Sequence, residues 1–326
     1  MAKGQRKVAS DKSSIIARLP RACYDELAAV EFFEDMRWGE KPRCAHCGHE
    51  NVYQMMGRVR GQRNARFLWR CRACGKQFTV RVGTVFEDSP IPLRHWAYAF
   101  WAACSSKKGV SSLQIKRQTG LTYKSALFMM HRIRFAMADN YDGQPKLSGV
   151  VEADETYVGG KPRYKQPRRG PRTGPDRKTP VVSIVERGGN VRSFVTADVT
   201  AANVGQILLE NASLDSHLMT DSSMVYDAIG KPFAKHGTTN HAAREYALPD
   251  GTHSNTVESA FSLLKRGIMG TFHNVSREHL HRYVAEFDFR WNARKIDDGA
   301  RTALAIRKAD GKRLRYKQPV AKQVVR

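Results

Sequence analysis

Two Cys-x-x-Cys pairs constrain the fold of this chain more than any other feature. They are Cys44 with Cys47 in CAHCGHE, and Cys71 with Cys74 in CRACGKQ. A glycine follows each pair, which suits a tight turn that folds two sulfurs onto one ion. Four thiolates fit tetrahedral zinc. A cytosolic protein would favour zinc over disulfides, and the presence of two matched pairs disfavours a redox dithiol. The sequence therefore predicts a zinc ribbon over residues 41–82.

The residues around these pairs leave some questions open. His46 and His49 could each replace a cysteine as ligand, although exposed turn histidines are the better interpretation when four cysteines are available. The basic stretch GRVRGQRNARFLWR predicts either a phosphate-contacting surface or two ribbon strands with a solvated face. Cys23 and Cys104 stand alone, and we expect both to be small core residues.

The charge balance points to a polyanionic partner. Lys and Arg total 55 against 31 Asp and Glu, which gives a formal net charge of +24 over 326 residues. A charge of this size favours nucleic acid ahead of an acidic membrane surface. No apolar run is long enough to span a bilayer, and no apolar signal core follows the basic N-terminus. We therefore expect a cytoplasmic protein without a membrane partner.

Two helices are predicted within residues 90–140, on either side of Gly120. Ser111 or Ser112 suits the N-cap of the first helix, and Thr122 suits that of the second. Apolar side chains repeat along one face of the second helix, at Ala126, Met130, Ile133 and Met137. Polar side chains are placed off that face, at Lys124, Ser125, His131 and Arg132. The pattern predicts a helix-turn-helix whose second helix enters a major groove, or a plain helical hairpin.

From Val150 onward the chain changes to short β-branched runs followed by helical stretches, which predicts an α/β or α+β domain. In VVEADETYV, strict alternation places Glu152, Asp154 and Thr156 on one face of a strand. An acid in the middle of a strand is unfavourable without a purpose, although an edge strand would also tolerate Asp154. Asp221 follows the apolar run of HLMT, where a short strand would end.

A third acid, Glu258, lies on a helix predicted in HSNTVESAFSLLKRGIMG. Glu258 and Lys265 are two turns apart on one face, and Asn255 shares the side of Glu258. The apolar stripe of this helix comprises Val257, Phe261, Leu264 and Ile268. Taken alone, the helix could be an ordinary amphipathic one with a surface Glu and Lys. Together with Asp154 and Asp221, it completes a set of three carboxylates.

Three carboxylates in one place would serve a divalent metal. Mg²⁺ and Mn²⁺ prefer carboxylate oxygens and keep some of their waters. Two such ions can assist an in-line displacement at phosphorus. Without metal the carboxylates repel one another, which makes them a poor purely structural choice. The sequence therefore indicates phosphoryl-transfer chemistry on nucleic acid.

At these residues the chain resembles insertion-sequence DDE transposases of the IS1595 superfamily, whose catalytic domain is called ISXO2-like. The similar stretches extend over nearly the whole chain. They comprise the Cys-x-x-Cys pairs, DETYVGGK, TDSS, HSNTVESAFSLLKRGIMGTFHNVSREHLHRY and EFDFRWNAR. The resemblance implies an RNase H-like fold with the first acid on the first strand, the second at the end of the fourth strand, and the third on a later helix.

The resemblance also implies the activity and its residues. Such an enzyme binds the terminal inverted repeats of its element, cleaves the element ends and joins the 3′-hydroxyl to target DNA. Asp154, Asp221 and Glu258 would be the ligands of Mg²⁺ or Mn²⁺, and Lys265 would be the lysine that follows the third acid. Some members have asparagine as the third residue, so Asn255 remains an alternative to Glu258.

The expected domain layout follows from these segments. It has a tail and helix over 1–40, the zinc ribbon over 41–82, the helix-turn-helix over 90–140, the RNase H-like domain over 148–300 and a basic tail over 301–326. Double-stranded DNA in the nucleoid is the expected partner. At least a dimer is expected, since two element ends must meet, and a Gly-, Pro- and Arg-rich loop at 161–180 is expected to touch DNA.

Two other functions stay open. One is an RNase H-like nuclease that cleaves without joining. The other is a catalytically silent zinc-ribbon regulator that only binds DNA. The presence of all three acids and Lys265 favours an enzyme over the regulator.

Overall fold

The computed structural model describes residues 11–159, 178–240 and 247–315. The loop expected to touch DNA therefore lies almost entirely outside the described residues. The described chain forms two compact units: residues 11–137 with 294–315, here the N-terminal unit, and residues 138–293, here the sheet unit. In the described ranges, no helix combines the length and the apolar character needed to cross a membrane.

The elements are numbered in chain order. The helices are α1 (Asp11–Ala22), α2 (Glu26–Trp38), α3 (Leu93–Ser105), α4 (Ser112–Thr119), α5 (Tyr123–Met137), α6 (Ala201–Asn211), α7 (Met224–Ile229), α8 (Asn255–Gly267), α9 (Leu280–Asn292) and α10 (Asp298–Arg307). The strands are β1 (Val52–Gln54), β2 (Trp69–Cys71), β3 (Gln77–Phe78), β4 (Val150–Val158), β5 (Thr179–Glu186), β6 (Val191–Val195), β7 (His217–Asp221) and β8 (Lys235–Thr239). A π-helical turn, Ile268–Phe272, continues α8.

The sheet unit is a mixed α/β structure, as its alternating pattern predicts. Its five strands lie in the order β6-β5-β4-β7-β8. The strands β4, β5 and β6 pair antiparallel, and a connection of four residues joins β5 to β6. The strands β7 and β8 run parallel to β4, and helices make the longer connections that parallel pairing needs. The first strand of the unit, β4, therefore lies at the centre of the sheet.

The alternation in β4 sorts its side chains as predicted. Val151 and Ala153 face a core formed with α6 and α7, to which Tyr226 contributes a fully buried ring. Val158 faces the opposite core, formed with α8 and α9. Glu152, Asp154 and Thr156 share the face of Val158, so the acid predicted as a site residue points toward α8. Both faces of the sheet are thus covered by helices.

Helix α8 docks on the sheet by the predicted stripe. Val257 is 0% exposed and Phe261 is 5% exposed, and both pack against the β-branched residues Val185 and Val191. Leu264 joins the neighbouring cluster. Burial of each such side chain contributes about 1.5–3 kcal/mol. This packing determines which face of α8 stays at the surface, and the polar residues predicted as site residues lie there.

The N-terminal unit contains the three-stranded antiparallel sheet β1-β2-β3 and a group of helices. Its core is aromatic: Phe86 meets Phe33 at 4.9 Å and Trp96 at 5.1 Å between ring centroids, edge to face. Glu34 of α2 accepts hydrogen bonds from Arg63 at 2.7 Å and from the Trp69 indole at 2.7 Å. Two residues of the basic stretch between the cysteine pairs therefore serve packing rather than a solvated surface.

The predicted helix pair forms with its predicted caps. The Ser111 hydroxyl accepts the Gln114 N–H at 3.1 Å, and the Thr122 hydroxyl accepts the Ser125 N–H at 3.2 Å. Gly120 ends α4 with φ of 72°, a left-handed conformation that favours glycine. The structure thus places a turn of three residues between α4 and α5.

Burial in α5 extends beyond the predicted apolar face. His131 and Arg132, which lie off that face, are both less than 10% exposed. The Arg132 guanidinium donates to the carbonyls of Val85 and Glu87, each at 2.9 Å. The helix is enclosed on several sides from Met129 onward, so a single apolar face underestimates its burial. Only its first turn stays exposed.

The segment predicted as a basic C-terminal tail differs as well. Helix α10 buries Thr302, Ala303, Ala305 and Ile306, and the segment from 294 groups with the N-terminal unit. Arg301 donates to the Cys104 carbonyl at 2.9 Å, and Asp310 accepts from Arg37 at 2.7 Å. The segment is basic in composition, but it contains a short helix with one buried face.

Candidate functional site

The four paired cysteines converge as the sequence predicts. Their sulfur atoms all lie within 4.8 Å of one another. Cys44 Sγ is 3.7 Å from Cys74 Sγ, and Cys47 Sγ is 3.7 Å from Cys71 Sγ. A tetrahedron of sulfurs around zinc, with bonds of about 2.3 Å, has edges of roughly 3.8 Å. The spacing of the thiols therefore fits a structural zinc ion.

Backbone geometry prepares this site. Gly48 and Gly75 adopt φ of 75° and 70°, and each donates its N–H to the carbonyl of the first cysteine of its pair. The backbone N–H groups of Cys74 and Ala73 lower the pKa of Cys71, whereas burial and the neighbouring thiols raise the pKa of Cys47. Zinc binds the thiolate form, so the second turn favours the ionised form of Cys71.

The two nearby histidines make contacts elsewhere. His46 Nε2 lies 3.2 Å from the carbonyl oxygen of Gln77, and His49 Nδ1 accepts the Asn51 N–H at 3.0 Å. Both side chains are exposed. These contacts agree with the interpretation of turn histidines, and they leave the four cysteines as the ligand set.

The structure places the three candidate acids on one side of the central sheet. Asp154 lies in β4 and Asp221 ends β7, while Glu258 occupies the first turn of α8. The parallel pairing of β4 with β7 matches Glu152 with Met219 and then stops. Two residues further along each strand, Asp154 and Asp221 hold the next positions on the same face.

The acids interact through their charges. The pKa of Asp154 is raised to about 7, mainly by burial and further by the charges of Glu155, Asp221 and Glu258. The N–H of Glu155 donates to Asp154 Oδ1 at 2.8 Å and opposes the rise only in part. Metal-free Asp154 thus holds a proton near neutral pH, and a cation that offset the mutual repulsion would release it.

The carboxylates form a more open group than the thiols. Among the described residues, only the four cysteines bring three or more potential ligand atoms within 4.8 Å of one another. Carboxylates that keep some water between them still suit Mg²⁺ and Mn²⁺, since these ions retain part of their hydration. The donor chemistry of the group fits a hard divalent ion.

The other two predicted site residues lie on α8. Asn255 is its first residue and is exposed, and its N–H donates to His253 Nδ1 at 3.3 Å. Lys265 is exposed in the last turn. The charge of Glu258 contributes to the raised pKa of Asp154, so Glu258 lies within electrostatic range of that acid.

A fourth acid was not singled out by sequence analysis. Glu155 accepts a hydrogen bond from the buried hydroxyl of Tyr226 at 2.9 Å. Burial raises the pKa of Glu155, and the charge of Asp221 adds to the rise. Alternation places Glu155 on the opposite face from Asp154, which is why the pattern excluded it. The parallel neighbour β7 brings it into range of the same acids.

Glu152 is a further residue that the sequence pattern did not assign to a role. Its side chain is 0% exposed and its carboxylate accepts the N–H groups of Thr256 and Val257 at the start of α8. The alternation in β4 places Glu152 on the same face as Asp154. An acidic residue at a buried strand position is the sequence signal that could have identified it.

Comparison with known proteins identifies similar domains and one curated relative. The ISXO2-like transposase domain matches residues 146–292, and the transposase zinc-ribbon domain matches residues 24–77. An uncharacterized protein in transposable element ISH50 of Halobacterium salinarum is 28% identical over 277 residues, which cover 81% of this chain and 90% of the relative.

The crystal structure of a pre-cleavage Mos1 transpososome is similar only at a TM-score of 0.22 and 14% identity, over 58% of this chain and 74% of that chain. A TM-score this low carries no argument about the fold.

Proposed function

We propose that the chain, which matches a transposase zinc-ribbon domain and an ISXO2-like transposase domain, is a transposase of the IS1595 superfamily that cleaves DNA at its element ends and joins them to target DNA. The observation that carries this proposal is the electrostatic interaction of Asp154 with Asp221 and Glu258. Three acids from three separate elements share one field beside the sheet, as a metal-dependent polynucleotidyl transferase requires.

The topology supports an RNase H-like assignment of the sheet unit. The first acid lies on the first strand of the unit, the second ends the fourth strand, and the third lies on a later helix. The central position of β4 between an antiparallel and a parallel neighbour puts the ends of β4 and β7 side by side. This is the layout that the resemblance to DDE transposases implies.

In the proposed site the chain supplies the ligands and the contacts to DNA. Bound Mg²⁺ or Mn²⁺ would activate the attacking hydroxyl or water and stabilise the leaving oxygen. Asp154, Asp221 and Glu258 would provide oxygen ligands. Lys265, exposed two turns from Glu258, would contact a phosphate of the bound strand. Asp154 must lose its proton to act as a ligand, so we expect the affinity for divalent metal to weaken as pH falls below about 7.

The N-terminal unit is proposed to bind the element ends. Several arginines of the stretch between the cysteine pairs remain exposed, namely Arg58, Arg60, Arg66 and Arg70. The exposed first turn of α5 is the part of a recognition helix that meets base edges in helix-turn-helix proteins. The net charge of +24 supports a phosphate-rich partner. Pairing of two ends would require at least a dimer on DNA.

An end-joining assay tests this function. Short duplexes that carry the flanking inverted repeat are incubated with the full chain and Mg²⁺ or Mn²⁺, and both nicked and joined products are measured. Asp154→Ala, Asp221→Ala and Glu258→Gln are each expected to lower the rate by a factor of about 10³ or more, whereas Asn255→Ala should keep most of the activity. Asp215→Ala, an exposed acid of the same unit, is the control.

Each alternative function predicts a distinct result. Cleavage without joined product would identify a nuclease, and end binding without any reaction would identify a regulator. Joining that survives Asp154→Ala would refute the assigned site. Full activity of Glu258→Gln together with an inactive Asn255→Ala would transfer the third role to Asn255.

A further inference from the structure

An ion pair joins a fully buried glutamate of β4, two residues before Asp154, to a half-buried arginine. Glu152 is 0% exposed, and its Oε1 accepts from Arg187 Nε at 2.9 Å and from the Thr256 hydroxyl at 2.8 Å. Its Oε2 accepts from the N–H of Thr256 at 2.7 Å and of Val257 at 3.0 Å. Both carboxylate oxygens of Glu152 are therefore bonded, and three of the four donors belong to the start of α8.

Arg187 extends this contact to further parts of the sheet unit. Its Nη2 donates to Met219 Sδ in β7 at 2.9 Å and to the His253 carbonyl at 3.2 Å. Its Nη1 donates to the Gly251 carbonyl at 3.2 Å, in the segment that leads into α8. A planar guanidinium with five N–H groups can hold several partners at fixed angles. Arg187 thus connects β4, β7 and the entry to α8.

In this network, one residue each of β4, β7 and α8 lies two positions before the acid of its element. Glu152 precedes Asp154 by two residues on β4, and Met219 precedes Asp221 by two residues on β7. Thr256 precedes Glu258 by two residues on α8. On a strand, two residues is one repeat on the same face, and on a helix it is about half a turn. The ion pair therefore contacts each of the three acid-bearing elements two residues before its acid.

We propose that Glu152 and Arg187 form a positioning pair that sets the spacing of Asp154, Asp221 and Glu258 for divalent metal. The proposal rests on the proposed function. The pair does not touch metal or DNA itself, and it acts by fixing three elements to one another through directional bonds.

Physical chemistry favours a geometric role over a stabilising one. A buried ion pair stabilises a fold little better than well-packed apolar residues of similar volume, because desolvation of the charges offsets their attraction. A carboxylate bonded by the first N–H groups of a helix, in contrast, fixes where that helix begins. Apolar packing alone would allow α8 to shift along the sheet. The hydrogen bonds to Glu152 do not allow this shift, because they are directional.

Three variants of the full chain test the pair. Arg187→Gln removes the connection between elements, Arg187→Lys keeps the charge without the multiple bonds, and Thr256→Val removes one hydroxyl donor with little change of shape. Glu286→Gln is the matched control, because Glu286 is also buried and bonds Arg290 within α9, which carries none of the three acids. Unfolding by urea measures the stability of each variant.

The decisive readouts are independent of turnover. Mn²⁺ affinity is measured without DNA by calorimetry, and amide hydrogen exchange of Thr256 and Val257 is measured without metal. We expect Arg187→Gln and Arg187→Lys to weaken Mn²⁺ binding about ten- to hundredfold, the usual effect of losing a partner that orients ligands. Thr256→Val is expected to weaken it about fivefold, as for one hydrogen bond. Exchange at both amides should accelerate in the Arg187 variants.

The control separates positioning from stability. Glu286→Gln should lose stability comparable to that of the Arg187 variants and keep wild-type Mn²⁺ affinity. Unchanged Mn²⁺ affinity in Arg187→Gln, or full recovery in Arg187→Lys, would overturn the positioning role. Wild-type Mn²⁺ affinity in Asp154→Ala would instead refute the metal site, and thereby the proposed function itself.

Discussion

At the scale of single residues, Asp154 is the clearest conflict between function and stability. The proposed role needs the ionised carboxylate, whereas the folded chain is more stable when this carboxyl group is protonated. It lies half-buried beside other acids, and its pKa is raised to about 7. A carboxyl group so placed stabilises the folded chain only while it is protonated. Ionised Asp154 therefore costs stability in the pH range of the proposed metal binding, and this cost supports the proposal that Asp154 serves function.

The pH dependence of stability follows from this shift. The folded pKa of Asp154 exceeds the ordinary value of 3.8, so the folded state binds the proton more tightly and stability falls as pH rises from about 4 through 7. Without divalent metal, Asp154→Asn is expected to raise the free energy of unfolding at pH 8 by about 2–4 kcal/mol. The gain should vanish near pH 4. Urea unfolding at several pH values, with Asp215→Asn as control, measures it, and an equal gain at pH 4 and 8 would contradict the assignment.

At the scale of elements, apolar packing and polar contacts have different roles in placing α8 on the sheet. Its apolar stripe holds the helix against β5 and β6 through Val257 and Phe261. The bonds of Glu152 to its first turn define where the helix begins. The apolar stripe contributes most of the free energy that holds α8 on the sheet, because it removes apolar surface from water. The hydrogen bonds to Glu152 determine the position of the helix.

The stripe can be tested without touching the acids. Phe261→Ala is expected to lower the free energy of unfolding by about 3–5 kcal/mol, because it leaves a cavity against Val185 and Val191. Met269→Ala is the matched control, since Met269 is 75% exposed just beyond α8 and its loss should change stability by less than about 0.5 kcal/mol. A loss below about 1 kcal/mol for Phe261→Ala would show that α8 does not dock through this residue.

At the scale of the whole molecule, two units with separate cores carry two donor sets of different chemistry, four thiols in one and three carboxylates in the other. The thiolate cluster of the N-terminal unit suits a soft, closed zinc site. The carboxylate group of the sheet unit suits a hard, open site. Each unit buries its own apolar side chains, with an aromatic core in the first and β-branched strands in the second.

Loss of one metal should therefore leave the other site intact. Cys71→Ser is expected to lower zinc content and to weaken binding of the element ends at least tenfold, because the ribbon loses its structural ion. Mn²⁺ affinity of the carboxylate group should stay within about twofold of wild type. Cys23→Ser, a cysteine outside the cluster, is the control. Unchanged end binding with a zinc-free ribbon would exclude the ribbon from DNA recognition.

Short-range patterns determined much of this protein. Two Cys-x-x-Cys pairs predict the thiol cluster because a tight turn fixes two sulfurs regardless of what surrounds it. Alternation in β4 predicts the face of Asp154, and the 3.6-residue period of α8 predicts its buried stripe, since both periods are properties of the local backbone. The caps at Ser111 and Gly120 belong to the same class.

Only the tertiary structure decided which distant residues meet. The union of α10 with the N-terminal unit, the burial of Arg132 and the contact of Arg187 with Met219 depend on chain segments that come together across long separations. No local period encodes such contacts, because they arise from the packing of whole elements. The sequence by itself determined which residues could act. The fold decided which of them share one electrostatic field, and it brought Glu152 into contact with the start of α8.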